Sequence, residues 1–157
     1  MRHLAASLFI LLLAAFAAPP AAAQDREAPY WATLRVNEVN MRVGPSEAYP
    51  IAWVYRRQGL PVKIIRVRHG WRLVQDPDGE RGWIVARLLD PKRGAIVIGG
   101  EPADMREEPE GGARLLWRVE AGVVGALGDC KDGWCRFEVD RRKGWVRASR
   151  LWGAGEP

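Results

Sequence analysis

The chain has 157 residues, with 24 Lys and Arg, 19 Asp and Glu, two His, two Cys and eight Trp, and a formal net charge of +5. A His/Cys zinc site and a Ser-His-Asp triad both require a histidine with specific companions, and His69 is the only histidine after residue 23. No glycine-rich phosphate loop of the GxGxxG or GxxxxGK type occurs. We therefore predict no catalytic residue, no metal site and no cofactor, which argues against an enzyme.

Residues 1–23 have the pattern of a cleaved secretory signal. Arg2 provides the positive start, the apolar run 4–18 follows, and Ala21 and Ala23 form a small-residue cleavage site. The apolar run is shorter than the about 20 residues that cross a bilayer. The sequence predicts a periplasmic or secreted protein of about 134 residues after cleavage, with no membrane span in the mature chain and a net charge of +4 without Arg2.

Short segments after residue 32 predict β strands. Polar and apolar residues alternate at 33–37 and 71–75, and β-branched and aromatic residues mark further strands at 51–55, 62–68 and 82–85. The predicted turns are His69-Gly70 and the segment 76–79, in which proline and glycine suit a tight turn. Residues 86–89 are predicted to form a helical turn. Five or six short strands in about 60 residues indicate a small barrel.

The same pattern recurs in the second half of the chain. Six matches occur in order, at offsets of 62 to 64 residues. They are Met41-Arg42 with Met105-Arg106, Pro45 with Pro109, Trp53 with Trp117, Gly70-Trp71 with Gly133-Trp134, Gly82-Trp83 with Gly144-Trp145, and Leu89 with Leu151. We predict two units, residues 32–91 and 94–153, joined by a short polar linker that contains Pro91.

One motif set resembles the bacterial SH3-like domain. It comprises Asn40-Met41-Arg42-x-Gly44-Pro45-Ser46, then Tyr49-Pro50, and then the Gly-Trp pairs at 70–71 and 82–83. The second unit is similar to the same family but divergent, since Glu107-Glu108 replaces Val43-Gly44 and no tyrosine matches Tyr49. The resemblance implies an all-β fold of two tandem small SH3-like barrels after a cleaved signal peptide. It also implies binding of peptidoglycan, peptides or envelope partners.

A ligand groove is predicted in the first unit. Its candidate residues are Asn40, Arg42, Tyr49, Trp53 and Trp71. An aromatic floor with one or two polar groups suits a peptide or a sugar-peptide strand. The alternative is structural: Asn40 caps a turn and Arg42 pairs with a carboxylate such as Glu38 or Glu47.

The eight tryptophans are predicted to divide between core and surface. Trp83 and Trp145 are expected in or partly in the core, and Trp71 and Trp134 nearer the surface. Trp53 and Trp117 are expected in either the core or the groove. Trp31 and Trp152 are expected to pack between the units.

Cys130 and Cys135 flank the predicted hairpin turn of the second unit. Residues on either side of such a turn lie opposite each other, and an exported protein meets an oxidising compartment. We predict a disulfide. The alternatives are a free thiol pair or a redox site, although the spacing is not that of a CxxC motif.

Positive charge is concentrated in the first unit. Residues 33–92 hold 11 basic and 6 acidic side chains, whereas residues 93–157 hold 11 of each. The excess is either a solvated face or an attraction to anionic envelope polymers. Nucleic acid is not expected as a partner, because the protein is predicted to be exported and its net charge is modest.

The sequence therefore predicts a monomeric, non-catalytic binding module that engages a cell-wall peptide or glycan, or an envelope protein. One alternative is a structural adaptor between envelope proteins. Another is a cell-wall hydrolase accessory, for which the acidic residues Asp76, Asp78 and Glu80 are the available carboxylates, although they lie in a predicted solvated turn.

Overall fold

A computed structural model describes residues 26–157. The predicted signal, residues 1–23, lies outside the described residues. The first unit contains β1 (Tyr30–Leu34), β2 (Val39–Arg42), β3 (Ile51–Tyr55), β4 (Pro61–Arg68), β5 (Trp71–Gln75), β6 (Arg81–Val85) and β7 (Leu89–Asp90). The second contains β8 (Gly94–Val97), β9 (Ala103–Arg106), β10 (Leu115–Val119), β11 (Val124–Lys131), β12 (Trp134–Val139), β13 (Arg142–Arg147) and β14 (Leu151–Trp152). One 3₁₀ turn follows in each unit, at Ala86–Leu88 and Ala148–Arg150.

Each unit forms one seven-stranded antiparallel sheet that bends into a small barrel. The strand orders are β3-β2-β6-β5-β4-β1-β7 and β10-β9-β13-β12-β11-β8-β14, so the two topologies are identical. The all-β prediction is confirmed. Within residues 26–157, no helix is long and apolar enough to cross a membrane.

The first strand differs from its prediction. It occupies Tyr30–Leu34 rather than 33–37, and all five of its residues are buried. Continuous burial replaces the expected alternation because the second unit covers one side of this strand. The indole Nε1 of Trp31 donates a hydrogen bond to the carbonyl of Gly155 at 3.0 Å, and its ring meets that of Trp152 edge-on with centroids 4.8 Å apart. The predicted packing of these two tryptophans between the units is confirmed.

Further contacts join the two barrels into one body. Arg57 of the first unit donates to the carbonyl of Gly122 of the second at 2.6 Å, and Arg93 of the linker donates to the carbonyl of Gly153 at 3.1 Å. Ile96 and Val124 of the second unit pack against the core of the first. The core of the first unit therefore extends into the junction, and the second unit completes it.

In each barrel a glycine lies where the second and sixth strands of the unit meet. Arg42 on β2 pairs with Trp83 on β6, directly after Gly82. A Cβ added at Gly82 would lie 2.5 Å from the Cγ of Met41 and 2.9 Å from the carbonyl oxygen of Arg42. Only glycine allows β2 to approach this closely. The second unit repeats the arrangement, with Gly144 beneath Met105 and Arg106.

The hairpin between the fourth and fifth strands of each unit turns within two residues. His69 and Gly70 both have positive φ (42° and 79°), as do Asp132 and Gly133 (51° and 79°). This is the pattern of a type I′ turn, which matches the twist of the strands it joins. It places Cys130 opposite Cys135, and their sulfur atoms form the predicted disulfide.

The acidic turn of the first unit is partly buried, which corrects the prediction that it is a solvated loop. Asp76 is buried and accepts a hydrogen bond from the hydroxyl of Tyr55 at 2.9 Å. Its other oxygen accepts the backbone N–H groups of Asp78 and Glu80 at 3.0 and 2.9 Å. Burial and the Asp76 carboxylate together raise the pKa of Tyr55 above its ordinary value of 10.0. Asp76 therefore organises the turn from inside.

We expect the glycine at the contact between β2 and β6 to be essential for stability. Gly82→Ala should lower the free energy of unfolding by about 1–3 kcal/mol, because the added methyl group forces β2 away from β6. Urea denaturation followed by tryptophan fluorescence measures this. The matched control is Gly112→Ala, where an added Cβ meets no atom within 4 Å. Equal stability of the two variants would contradict the prediction.

The disulfide should protect both thiols from alkylation in the unreduced protein. The double variant Cys130→Ser, Cys135→Ser should unfold with a free energy lower by about 2 kcal/mol, since the short loop is no longer constrained in the unfolded chain. Iodoacetamide labelling and chemical denaturation test the two statements. Rapid labelling without reductant would show that the pair is not oxidised in the isolated protein.

The buried hydroxyl of Tyr55 should produce a defined pH dependence. At neutral pH, Tyr55→Phe should destabilise by about 1.5–3 kcal/mol, because a hydrogen bond to a charged group is lost. The folded protein holds Tyr55 protonated to higher pH than the unfolded chain does. The advantage of the wild type over Tyr55→Phe is therefore complete below pH 10 and should shrink as the pH rises above about 10. A constant difference from pH 8 to 11 in denaturation experiments would contradict this.

Candidate functional site

The hairpin between β2 and β3 exposes a group of apolar side chains. Val43, Tyr49, Ile51 and Trp53, which we call the hairpin patch, are all exposed, and the Trp53 side chain is the most open at 60%. Strand β3 is an edge strand of its sheet, paired only with β2. Trp53 lies opposite the buried Met41, yet no further strand covers its ring.

The loop of this hairpin is held in place by two contacts. The Arg42 guanidinium donates a hydrogen bond to the carbonyl of Tyr49 at 2.7 Å. The Tyr49 ring lies on Gly44, where an added Cβ would be only 2.5 Å from the ring carbons. Glycine at this position is therefore required by the ring, which remains about half exposed. The result is an aromatic surface whose orientation is set before any ligand arrives.

The second unit keeps the loop anchor but lacks the aromatic ring. Arg106 donates to the carbonyl of Ala113 at 2.7 Å, in the same geometry as Arg42. Ala113 stands where Tyr49 stood, and Glu108 stands where Gly44 stood. Without the ring, the position beneath it no longer requires glycine. The loss of the tyrosine and the loss of the glycine in this unit therefore belong together, because the glycine is needed only beneath the tyrosine ring.

The predicted groove residues are only partly brought together. Arg42, Tyr49 and Trp53 lie on one hairpin with Asn40, but Trp71 is half-buried on β5, which β6 separates from β2. Asn40 lies within β2 rather than at a turn. A different asparagine, Asn37, accepts the backbone N–H of Gln58.

The expected ion pairs of Arg42 do not form. Glu38 lies 3.5 Å from Arg56, and Glu47 lies 3.9 Å from Arg87. Arg42 is therefore bound to a backbone carbonyl of its own loop.

Arginine side chains cover three tryptophans of the second unit. Arg142 lies 4.8 Å from the ring centre of Trp117, Arg147 lies 4.5 Å from that of Trp134, and Arg136 lies 5.3 Å from that of Trp145. Such cation–π contacts stabilise both groups. The corresponding positions of the first unit are Glu80, Val85 and Leu73, as the strand pairs and the repeat offset show. None of these can cover an indole with a cation.

Trp134 is buried, so its predicted place near the surface is wrong. Its ring is only 4% exposed because Arg147, directly opposite on β13, covers it. Trp83 is buried and Trp145 is half-buried, as predicted. Trp145 lines a cleft of about 330 Å³ together with Gly128, which stands at the repeat position of Ile65 in the first unit.

A second cleft in this unit was missed by sequence reasoning. It has a volume of about 370 Å³ and is lined by Asp104, Arg106, Trp134, Arg147, Ser149 and Arg150, among others. Asp104, Arg106 and Trp134 are the repeat equivalents of Asn40, Arg42 and Trp71. The sequence feature that could have revealed this cleft is the pair Arg147 and Arg150, which stand at the repeat positions of the apolar Val85 and Leu88. Within the described part of the chain, no group of three or more His, Cys, Asp or Glu is placed to hold a metal ion.

Comparison with known proteins places the chain in a family. The model of the bacterial SH3 domain matches residues 35–91 and again residues 99–153. A curated relative, "Putative N-acetylmuramoyl-L-alanine amidase YrvJ" of Bacillus subtilis (strain 168), is 23% identical over 134 residues, which cover 79% of this chain and 26% of that protein. This chain thus spans about a quarter of the length of that relative.

Solved structures that match include NlpC2 from Trichomonas vaginalis, at 17% identity and a TM-score of 0.36, covering 82% of this chain and 49% of that one. An NlpC/P60 family protein from Bacillus cereus ATCC 10987 matches at 13% identity and a TM-score of 0.35, covering 78% of this chain and 56% of that one. Because the family model matches twice and covers most of the chain, this protein belongs to the bacterial SH3 domain family and contains two copies of the domain.

Proposed function

We propose that the protein is an exported, non-catalytic binding module whose first unit engages peptidoglycan through the hairpin patch. The observation that carries the proposal is the uncovered indole of Trp53 on the same hairpin as the anchored ring of Tyr49. Aromatic faces bind the apolar faces of sugars and peptides, and their neighbouring polar groups orient the ligand. The fixed loop reduces the entropy lost on binding.

The first unit is favoured over the second because its exposed tryptophan is not covered. Trp53 is 60% exposed and has no stacking partner among residues 26–157, whereas Trp117, at the equivalent position, is 44% exposed and has Arg142 4.8 Å from its ring centre. Apolar surface removed from water contributes about 25 cal/mol per Å². A ligand that binds on Trp53 gains this free energy of apolar burial without displacing an arginine from the indole.

The ligand class is supported by the Bacillus relative, whose name refers to N-acetylmuramoyl-L-alanine, a sugar joined to an amino acid. An aromatic surface with polar neighbours suits both parts. Since this chain corresponds to about a quarter of that protein, we assign it binding rather than hydrolysis. Its own chemistry supports this assignment, because both cysteines form a disulfide and Asp76 is engaged by Tyr55 and the turn.

Export is part of the proposal. The predicted signal supports a periplasmic or secreted location, and the Cys130–Cys135 disulfide is typical of a protein that folds in an oxidising compartment.

Purified sacculi test the proposal directly. The mature protein should be retained on sacculi after washing, and Trp53→Ala should weaken retention at least about fivefold, because a central exposed aromatic is a typical binding hot spot. The matched control is Trp117→Ala, which removes the equivalent indole of the second unit and should have little effect. Thermal unfolding of each variant should confirm that it is folded.

Two outcomes would count against the proposal. No retention of the wild type above a denatured control would remove the cell-wall ligand and favour an adaptor role, which the joined pair of barrels also suits. Release of muropeptides by the pure protein would show that it is an enzyme.

A further inference from the structure

The second cleft of the second unit carries an excess of positive charge. Three arginines, Arg106, Arg147 and Arg150, line it together with a single acidic residue, Asp104. Asp104 is already engaged by Arg106 at 2.6 Å and by Arg118 at 3.6 Å. The cleft therefore presents cationic groups that its own carboxylate does not neutralise, although the unit as a whole has equal numbers of acidic and basic residues.

Two of these arginines are held rigidly by backbone carbonyls. Arg106 donates to the carbonyl of Ala113 at 2.7 Å. Arg150 donates through Nε to the carbonyl of Ile98 at 3.0 Å and through Nη2 to that of Glu101. A guanidinium has five N–H groups, so each keeps donors for a ligand while its position is fixed.

Arg147 is the group best placed to meet a ligand. Its guanidinium carbon lies 4.5 Å from the centre of the Trp134 ring, and the guanidinium makes no hydrogen bond or ion pair with any residue of 26–157. Its Nη2 lies 3.5 Å from where a Cβ at Gly111 would be, so the opposite wall of the cleft approaches it closely. A stacked arginine is preorganised and keeps its planar edge free, which matches the two oxygens of a carboxylate.

The first unit lacks this arrangement. Val85 stands opposite Trp71 where Arg147 stands opposite Trp134. Leu88 replaces Arg150, and Glu47 replaces Gly111. A carboxylate at this place in the first unit would meet two arginines fewer and one added negative charge, that of Glu47.

We propose that this cleft binds the free carboxylate of a cell-wall stem peptide, with Arg147 as the principal contact and Arg106 and Arg150 as supporting donors. The proposal rests on the proposed peptidoglycan binding for the source of the carboxylate. The hairpin patch and the cleft then recognise different parts of one polymer: the patch takes the apolar faces, and the cleft takes the charged end of the peptide.

A small probe tests the site apart from the cell wall. N-Acetylalanylalanine should shift the indole N–H signal of Trp134 in ¹H–¹⁵N spectra in a saturable manner, and the C-terminal amide of the same dipeptide should not. Arg147→Gln should weaken binding roughly tenfold, which corresponds to one charge-assisted contact. The matched control is Arg141→Gln, which removes the same charge from the turn at the other end of β13 and should bind normally.

Sacculi with amidated carboxyl groups complete the test. Amidation should lower retention of the wild type but not of Arg147→Gln. Equal shifts with acid and amide, or equal binding of the acid by Arg147→Gln and the wild type, would overturn the carboxylate site even if sacculi retain the protein. Binding of the dipeptide through Arg147 without retention on sacculi would keep the site and overturn the proposed function.

Discussion

In each barrel the backbone of the second strand rests directly on a glycine of the sixth, and the rest of the structure depends on that approach. In the first unit, Met41 and Arg42 lie over Gly82, at distances that exclude even a methyl group. The same approach sets the register between Arg42 and Trp83. It therefore also sets where the Arg42 guanidinium reaches, and so the position of the loop whose carbonyl it holds. The Met-Arg and Gly-Trp pairs are the two halves of this contact, which explains why they are the parts of the chain that repeat most clearly.

The two units have the same strand topology but are stabilised by different interactions. In the first unit, Tyr55 and Asp76 form a buried polar pair. Val119 and Val139 occupy the corresponding positions of the second, where an apolar pair needs no hydrogen-bond partner. The second unit instead has a disulfide across its hairpin. Because a small barrel has a limited core, it needs further stabilisation. The buried polar pair provides it in the first unit and the disulfide provides it in the second.

The surfaces differ for a related reason. Arginines in the second unit lie over three indoles, and clefts lie beside two of these, Trp145 and Trp134. The first unit has no arginine at these positions, so its exposed tryptophan remains open at the edge of the sheet. The net charge of a unit is thus a poor guide to its surface: the balanced unit contains the cationic cleft, and the more basic unit presents the apolar patch.

The sequence by itself determined the features that depend on neighbours along the chain. The strands at 51–55 and 71–75, the two-residue hairpin turns, the disulfide across one of them and the helical turn near residue 86 all follow from alternation, turn residues and short spacing. The repeated residues also predicted that the two halves of the chain form equivalent units. Only the tertiary structure decided which tryptophans are exposed, because a ring is covered by the residue opposite it on another strand. For Trp134 that residue is Arg147. Trp53 lies opposite Met41, which is itself buried, and no further strand follows β3 at the sheet edge to cover the indole. Burial of Asp76 and convergence of the arginines on one cleft are likewise set by residues far apart in sequence, which no local pattern can pair.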